Sequence, residues 1–372
     1  MSAPTPKIVL TMIVKNEAPV IERCIRSIRP LIDAWCIVDT GSTDGTQEII
    51  RKALADLPGE LIEIPWQDFA FNRTKSLELA RPFGDFSIMI DADVECVFEP
   101  GFNVRTFKDE LDADVYRIMF HDAIEYQRPL ISSTDYPFSY RGVLHEFLVV
   151  PDGALEGGIV KGLHYKSHTD GARWGNPTKY ADDALLLMNA LASGDDPELD
   201  DRHTFYLAQS LRDSGDRVSA AMVYKSRAQM GGWDQERYMA WLWHARLLHE
   251  TGGPLAEVLD ALMKAQEVVP SRAEAYCQAA RYAREADRMQ TAFMFATRAA
   301  AIRPPEEALF MERDVYEWRI GYELSIAAWY CDEYAVGLRS CHRLLYEDRL
   351  PSAEREATEK NLALYPPDAI GD

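Results

Sequence analysis

"FSIMIDADVECVF", residues 86–98, sets an apolar, strand-like run against two carboxylates at its end. Ile88, Met89 and Ile90 read as the buried part of a strand, and Asp91 and Asp93 follow two residues apart. In an extended strand residues i and i+2 share a face, so both carboxylates are expected to project together at the strand's mouth. Like charges this close repel unless a cation or a donor-rich ligand lies between them. The plainer reading makes Asp91-Ala92-Asp93 a turn that ends the strand, and the flanking sequence has to decide.

Outward from that stretch, residues 7 to about 165 alternate β-branched runs with helical patterns. "KIVLTMIV" (7–14), "AWCIVDT" (34–40) and "ELIEIPW" (60–66) read as strands. "APVIERCIRSIRPLI" (18–32), "TDGTQEIIRKALADL" (43–57, capped by Thr43 or Asp44) and "FNRTKSLELARPF" (71–83) read as helices. This alternation predicts βαβ units and a mainly parallel sheet, with ligands bound beyond the carboxyl ends of the strands. Asp39 and the Asp91/Asp93 pair fall at such ends. From about residue 178 the strand signal stops and amphipathic helices follow in pairs. Ala265 and Pro270 recur 34 residues later as Ala299 and Pro304, which predicts helical hairpins stacked as a repeat, a plain bundle being the alternative. The expected division is a front domain over 1–172 and a helical domain over 173–372. In the second, Trp233, Trp241 and Trp243 gather in "GGWDQERYMAWLWHA" (231–245) as packing residues or as an exposed platform, and self-association through the repeats is a further expectation.

Composition narrows the field. With 47% hydrophobic and 27% charged residues the chain reads as ordered and globular, and 372 residues suit two domains. A net charge of −20 argues against a long basic nucleic-acid groove and against docking on anionic membrane. The six cysteines show no CxxC pair, and no stretch approaches the ~20 apolar residues of a membrane span. No basic segment precedes a long apolar run at the start, so a cytoplasmic protein with reduced cysteines is expected.

The remaining motifs carry chemistry. In "VDTGSTDGT" (38–46), Asp39 ends a strand and Gly41, Ser42, Thr43 and Gly45 make a turn into a helix, which lets backbone approach a ligand while Asp39 accepts from a base or ribose. Neither GxGxxG nor GxxxxGK[ST] is present there. "MIVKNEAPVIERCIRSI", "VDTGSTDGT" and "MIDADVE" together resemble, in order and spacing, the successive signatures of family 2 glycosyltransferases with the GT-A fold. The helical extension resembles a subgroup with tetratricopeptide-like repeats. One departure is Asp39-Thr40, where the family usually has two acidic residues.

The resemblance implies roles. Asp39 would contact the nucleobase of a nucleoside-diphosphate sugar, with a UDP-sugar foremost. Asp91 and Asp93 would match the DxD motif that holds Mn²⁺ or Mg²⁺ against the diphosphate, and oxygen ligands suit both ions. Arg73 or Lys75, near the same sheet edge, would meet phosphate. Glu146 in "YRGVLHEFLVV" (140–150) would be the general base of an inverting transfer, with His145 as the alternative base or as the residue orienting the acceptor. His164, near the domain's end, would complete the metal site. The Gly-rich stretch "HTDGARWGNPTK" (168–179), with His168, Arg173, Trp174 and Lys179, would fold over the donor, the alternative for Trp174 being to stack on the acceptor. Acceptors in the family include polysaccharides, lipid-linked glycans, peptides and modified nucleobases. Two other readings compete: a nucleotidyltransferase, disfavoured because "VKNEAPV" is no Gly-rich basic loop, and a helical-repeat adaptor whose front domain has lost activity.

Overall fold

The computed structural model describes residues 4–122, 125–306 and 308–366. By internal contacts the chain divides into two units, Met1–Ser193 and Gly194–Asp372. The first holds strands β1 (Ile8–Val14), β2 (Ala34–Asp39), β3 (Gly59–Glu63), β4 (Phe86–Met89), β5 (Val94–Phe98), β6 (Val115–His121), β7 (Glu125–Ser133), β8 (Ser139–Arg141), β9 (Phe147–Val149) and β10 (Glu156–Ser167). Its helices are α1 (Ile21–Ile28), α2 (Thr46–Ala53), α3 (Phe69–Ala80), α4 (Val104–Asp109) and α5 (Lys179–Ser193).

Eight strands form one sheet in the order β3-β2-β1-β4-β7-β6-β10-β5. β3, β2, β1 and β4 run parallel, β10 runs parallel to β6, and β7 and β5 are antiparallel to their neighbours. β1 and β2 are apolar almost throughout because both of their faces are covered, as in a sheet flanked by helices on each side. The strand order reverses at β1, whose neighbours are β2 on one side and β4 on the other, and that switch point opens a crevice beyond their carboxyl ends.

Two boundaries differ from the sequence expectation. β4 ends at Met89, and Asp91 to Val94 form a turn closed by Val94 N donating to the Asp91 carbonyl at 3.0 Å. The aspartates are therefore brought together by a turn rather than by strand alternation. The contact division also falls after α5 rather than at 172/173, because helical periodicity starts before the first unit ends.

The second unit is all helical: α6 (Asp200–Asp213), α7 (Arg217–Gln229), α8 (Asp234–Glu250), α9 (Leu255–Val268), α10 (Glu274–Glu285), α11 (Met289–Ala300), α12 (Ile320–Ala327), α13 (Tyr334–Glu347) and α14 (Ser352–Leu362). Each packs chiefly on its sequence neighbours, as in a stack of hairpins. Ala265 in α9 and Ala299 in α11 are both fully buried in one core, so the 34-residue recurrence marks equivalent packing positions. Trp241 is buried and Trp243 packs against the same core, while Trp233 stays exposed. Among the described residues no helix is long and apolar enough to cross a membrane, and all six cysteines are free.

Candidate active site

The loops leaving β1 and β2 are laced together at the switch point. Asn16, in the left-handed region (φ 57), accepts from Thr43 N at 2.8 Å, and its own N–H donates to the Ser42 hydroxyl at 2.9 Å. Glu17 N donates to Thr46 Oγ1 at 2.8 Å and Ala18 N to Asp44 Oδ2 at 3.0 Å. Thr40, where an acid was expected, donates its hydroxyl to the Val14 carbonyl at 3.1 Å and so fastens β2 to β1. Asp39 is fully buried, and its Oδ1 accepts from Gly41 N and Ser42 N, each at 2.8 Å. The first of those bonds needs Gly41 at φ 109, a conformation that L side chains resist. Burial pushes the Asp39 carboxyl up, but hydrogen bonds from Ser42 and Gly41 outweigh it and hold the group below the usual carboxylate range. The Ser42 and Gln47 side chains stand near this carboxylate, yet buried Oδ2 has no aligned hydrogen bond among the described residues.

On the other side of β1, α3 begins with Asp68, whose side chain caps Phe71 N. The helix turns Arg73 inward with Asn72, Ser76 and Leu77. Arg73 is 5% exposed and donates from a terminal nitrogen to Asp91 Oδ1 at 2.5 Å. Its Nε lies 2.7 Å from Glu146 Oε1, an ion pair without hydrogen-bond alignment. Arg128 approaches the same Glu146 oxygen at 3.6 Å, and Tyr140 lies under the Arg73 guanidinium. Burial raises the Asp91 carboxyl, and the Arg73 charge more than offsets it, so Asp91 stays ionised below its ordinary range. Asp93 behaves oppositely: burial and then the Asp91 charge push its carboxyl up.

Residues 168–176 cross over Asp93. His168 N donates to the Asp93 carbonyl at 3.0 Å, Asp170 pairs with Arg23 through two bonds, and Ala172 N donates to Glu17 at 3.1 Å. Trp174 Nε1 donates to Asp93 Oδ2 at 3.1 Å, and Lys179 Nζ sits 3.5 Å above the Trp174 ring. A Cβ at Gly171 would lie 3.0 Å from that of Asp93, so the segment passes tight against the carboxylate. Glu17 is pushed up to about 7, first by burial, against the Ala172 N–H, with Asp93, Asp44 and Asp91 adding to the rise.

The fold thus assembles Asp39, Arg73, Asp91, Asp93 and Glu146 around one crevice. Other expected residues go elsewhere. Lys75 is on the outer side of α3, paired with Glu78 at 2.6 Å. His164 faces Val97 in the β10–β5 ladder, its ring 4.3 Å from that of His121 and Nδ1 3.8 Å from Glu99, so the structure does not bring it to the aspartate pair. His145 adopts φ 52 and is exposed, while Glu146 is buried and pairs with Arg73 and Arg128. Lys179 stands over the ring of Trp174, whose indole N–H bonds Asp93. Glu17, Arg128 and Tyr140 escaped the sequence reading. The position of Glu17 directly after β1 was a usable signal, whereas Arg128 and Tyr140 depend on strand pairing that no local pattern reveals.

With that geometry in hand, the comparisons are informative. Residues 10–131 match the model of the family described as glycosyl transferase family 2. This stretch is a family 2 glycosyl transferase domain. A TPR repeat-containing protein of Synechococcus elongatus is 29% identical over 129 residues, covering 35% of this chain and 31% of that protein. The glycosyltransferase SunS of Bacillus subtilis is 33% identical over 90 residues, covering 24% of this chain and 20% of SunS. The chain therefore spans less than a third of either relative. A crystal structure of Staphylococcus aureus TarS residues 1–349 aligns over 82% of this chain and 99% of that one, at 14% identity and a TM-score of 0.32.

In the transferase domain a cavity of about 700 Å³ adjoins the crevice. Val14, Thr40 and Trp66 line one side, and Arg173, Leu186 and Asn189 another. A divalent ion, implied by the family, would find hard oxygen donors in Asp91 and Asp93. One oxygen of each is engaged, by Arg73 and Trp174 respectively. Among the described residues no group of three or more His, Cys, Asp or Glu side chains is arranged to hold a metal. Two carboxylates fit an ion that completes its shell with ligand oxygens and water rather than one caged by protein.

Proposed function

We propose that the chain transfers a sugar, with inversion, from a nucleoside-diphosphate sugar, a UDP-sugar first among them, to an acceptor nucleophile, and that it works in the cytoplasm. The observation that carries this reading is the linked set Asp91–Arg73–Glu146 beside Asp93, at the carboxyl ends of parallel strands and next to a ligand-sized cavity. Asp91 and Asp93 would hold Mn²⁺ or Mg²⁺, which supplies charge neutralisation for a leaving diphosphate. Buried Asp39 offers an acceptor to a donor group of the nucleoside. Trp174 and the segment around it cover Asp93 and keep water from the sugar. Glu146 takes the acceptor's proton as the acceptor attacks the anomeric carbon opposite the breaking bond to phosphate. Arg73 fixes the spacing between the diphosphate end of the site and this base.

The test is calorimetric titration of the full chain with UDP and Mn²⁺, followed by mass spectrometry of a panel of sugar nucleotides for donor hydrolysis. Metal-dependent UDP binding, lost in Asp93→Asn, and hydrolysis of one donor are expected. A parent chain that binds no nucleoside diphosphate with metal present would defeat the reading.

A further inference from the structure

The cavity beside the crevice has two walls of different origin. The inner one comes from the ends of β1, β2 and β3, through residues such as Lys15, Thr40 and Trp66. The outer one comes from residues 172–189, beyond the stretch that matches the family model, with Leu186 and Asn189 on one face of α5. Trp66 is 40% exposed and stands edge-on to Phe69 at 4.7 Å, which holds its indole plane in place. The side chains of Asn189 and Lys15 line the cavity and have no hydrogen bond or ion pair among the described residues. Polar groups idle at a ligand-sized cavity with an open aromatic face are what a flat, polar-edged ring needs.

We propose that α5 forms the outer wall of the donor's nucleoside pocket and that Asn189 reads the edge of the base while its ring stacks on Trp66. This rests on the nucleotide-sugar reading above and adds the element that selects the base. Stacking accepts any base because each has a π-face, so Trp66 supplies affinity without choice. A side-chain amide both donates and accepts, so Asn189 distinguishes bases by the pattern at the ring edge. Leu186 beside it excludes water from that contact. Selection would then lie outside the family core, on a helix whose sequence can vary without disturbing the carboxylate cluster.

The experiment titrates the full chain with UDP, CDP, ADP, GDP and pyrophosphate in the presence of Mn²⁺. One nucleoside diphosphate should bind more tightly than pyrophosphate. Trp66→Ala and Asn189→Ala should each weaken that nucleotide about tenfold, in the range for a lost base contact, and leave pyrophosphate affinity unchanged. Asn189→Ala should also narrow the gap between the preferred base and the others. Both side chains are exposed, so the melting temperatures should match the parent. Unchanged nucleotide affinity in both variants, with a parent that binds normally, would overturn the outer-wall assignment alone. A parent that prefers no nucleotide over pyrophosphate would remove the nucleoside pocket and the donor reading together.

Discussion

Arg73 gives up nearly all exposure to stand between Asp91 and Glu146, at 2.5 and 2.7 Å, so one guanidinium balances two carboxylates to which the proposed mechanism gives different steps. In the proposed mechanism Glu146 serves the acceptor, and the Arg73 guanidinium joins it to Asp91. Glu146→Gln keeps the shape of the side chain and removes its basicity. Turnover should fall by about 10²–10⁴-fold while donor affinity holds, measured as kcat and as calorimetric Kd. An equal loss of donor affinity would assign Glu146 to the nucleotide instead. Glu17 makes a separate prediction. Its ordinary value of 4.5 is raised to about 7, so between those limits the unfolded chain is ionised while the folded chain keeps the proton. The folded state then binds more protons than the unfolded one, and stability declines as pH rises through that window. Glu17→Gln, which can still accept from Ala172, should raise the melting temperature relative to the parent at pH 8 and change it little near pH 4.5. The same difference at both pH values would show that Glu17 is ionised throughout.

At the scale of elements, α3 delivers Arg73, and its direction is set by the Asp68 cap five residues earlier. Asp68→Ala should cost about 1 kcal/mol, read as a lower urea midpoint with an unchanged slope. A midpoint equal to the parent's would mean that packing, not the cap, fixes the helix start. That α3 exists was legible, but which of its faces turns inward was not. "FNRTKSLELA" carries no apolar stripe, so Arg73 and Lys75 looked equivalent until tertiary contacts buried one and left the other with Glu78. β1, β2 and the approach to Asp91 were readable because strands covered on both faces need continuous apolar runs. The turn at Asp91 was not, since Ile90 and Ala92 are both buried and prolong the apolar pattern past the end of the strand. His164 was misplaced for a related reason. β10 is twelve residues long and shifts register twice against β6, so nothing in "VKGLHYKSH" tells which histidine meets the aspartates. The structure puts His168 there, through its backbone.

For the whole molecule, the division of the chain decides which part is sufficient for binding. Family resemblance covers residues 10–131, and the strand pattern ends near 167, so sequence alone suggests that a fragment ending at 172 is complete. Contacts say otherwise. α5 buries Asp183, Ala184 and Leu187 within the first unit, Asp183 pairs with Arg173, and Arg173 stacks on Phe69 at 4.6 Å. Cutting after Ser193 should therefore give a cooperatively folding domain that binds UDP and Mn²⁺ as tightly as the full chain. Cutting after Ala172 exposes the apolar side of the cavity, leaves Phe69 without its cation and removes Trp174 from Asp93. That shorter fragment should melt several degrees lower, by the usual conversion of 1–2 kcal/mol in a domain this size, and lose about tenfold in UDP affinity. Thermal melts and titrations of the two fragments side by side make the comparison. Equal affinity in both would confine the donor site to the strand ends, and α5 would then serve the fold alone.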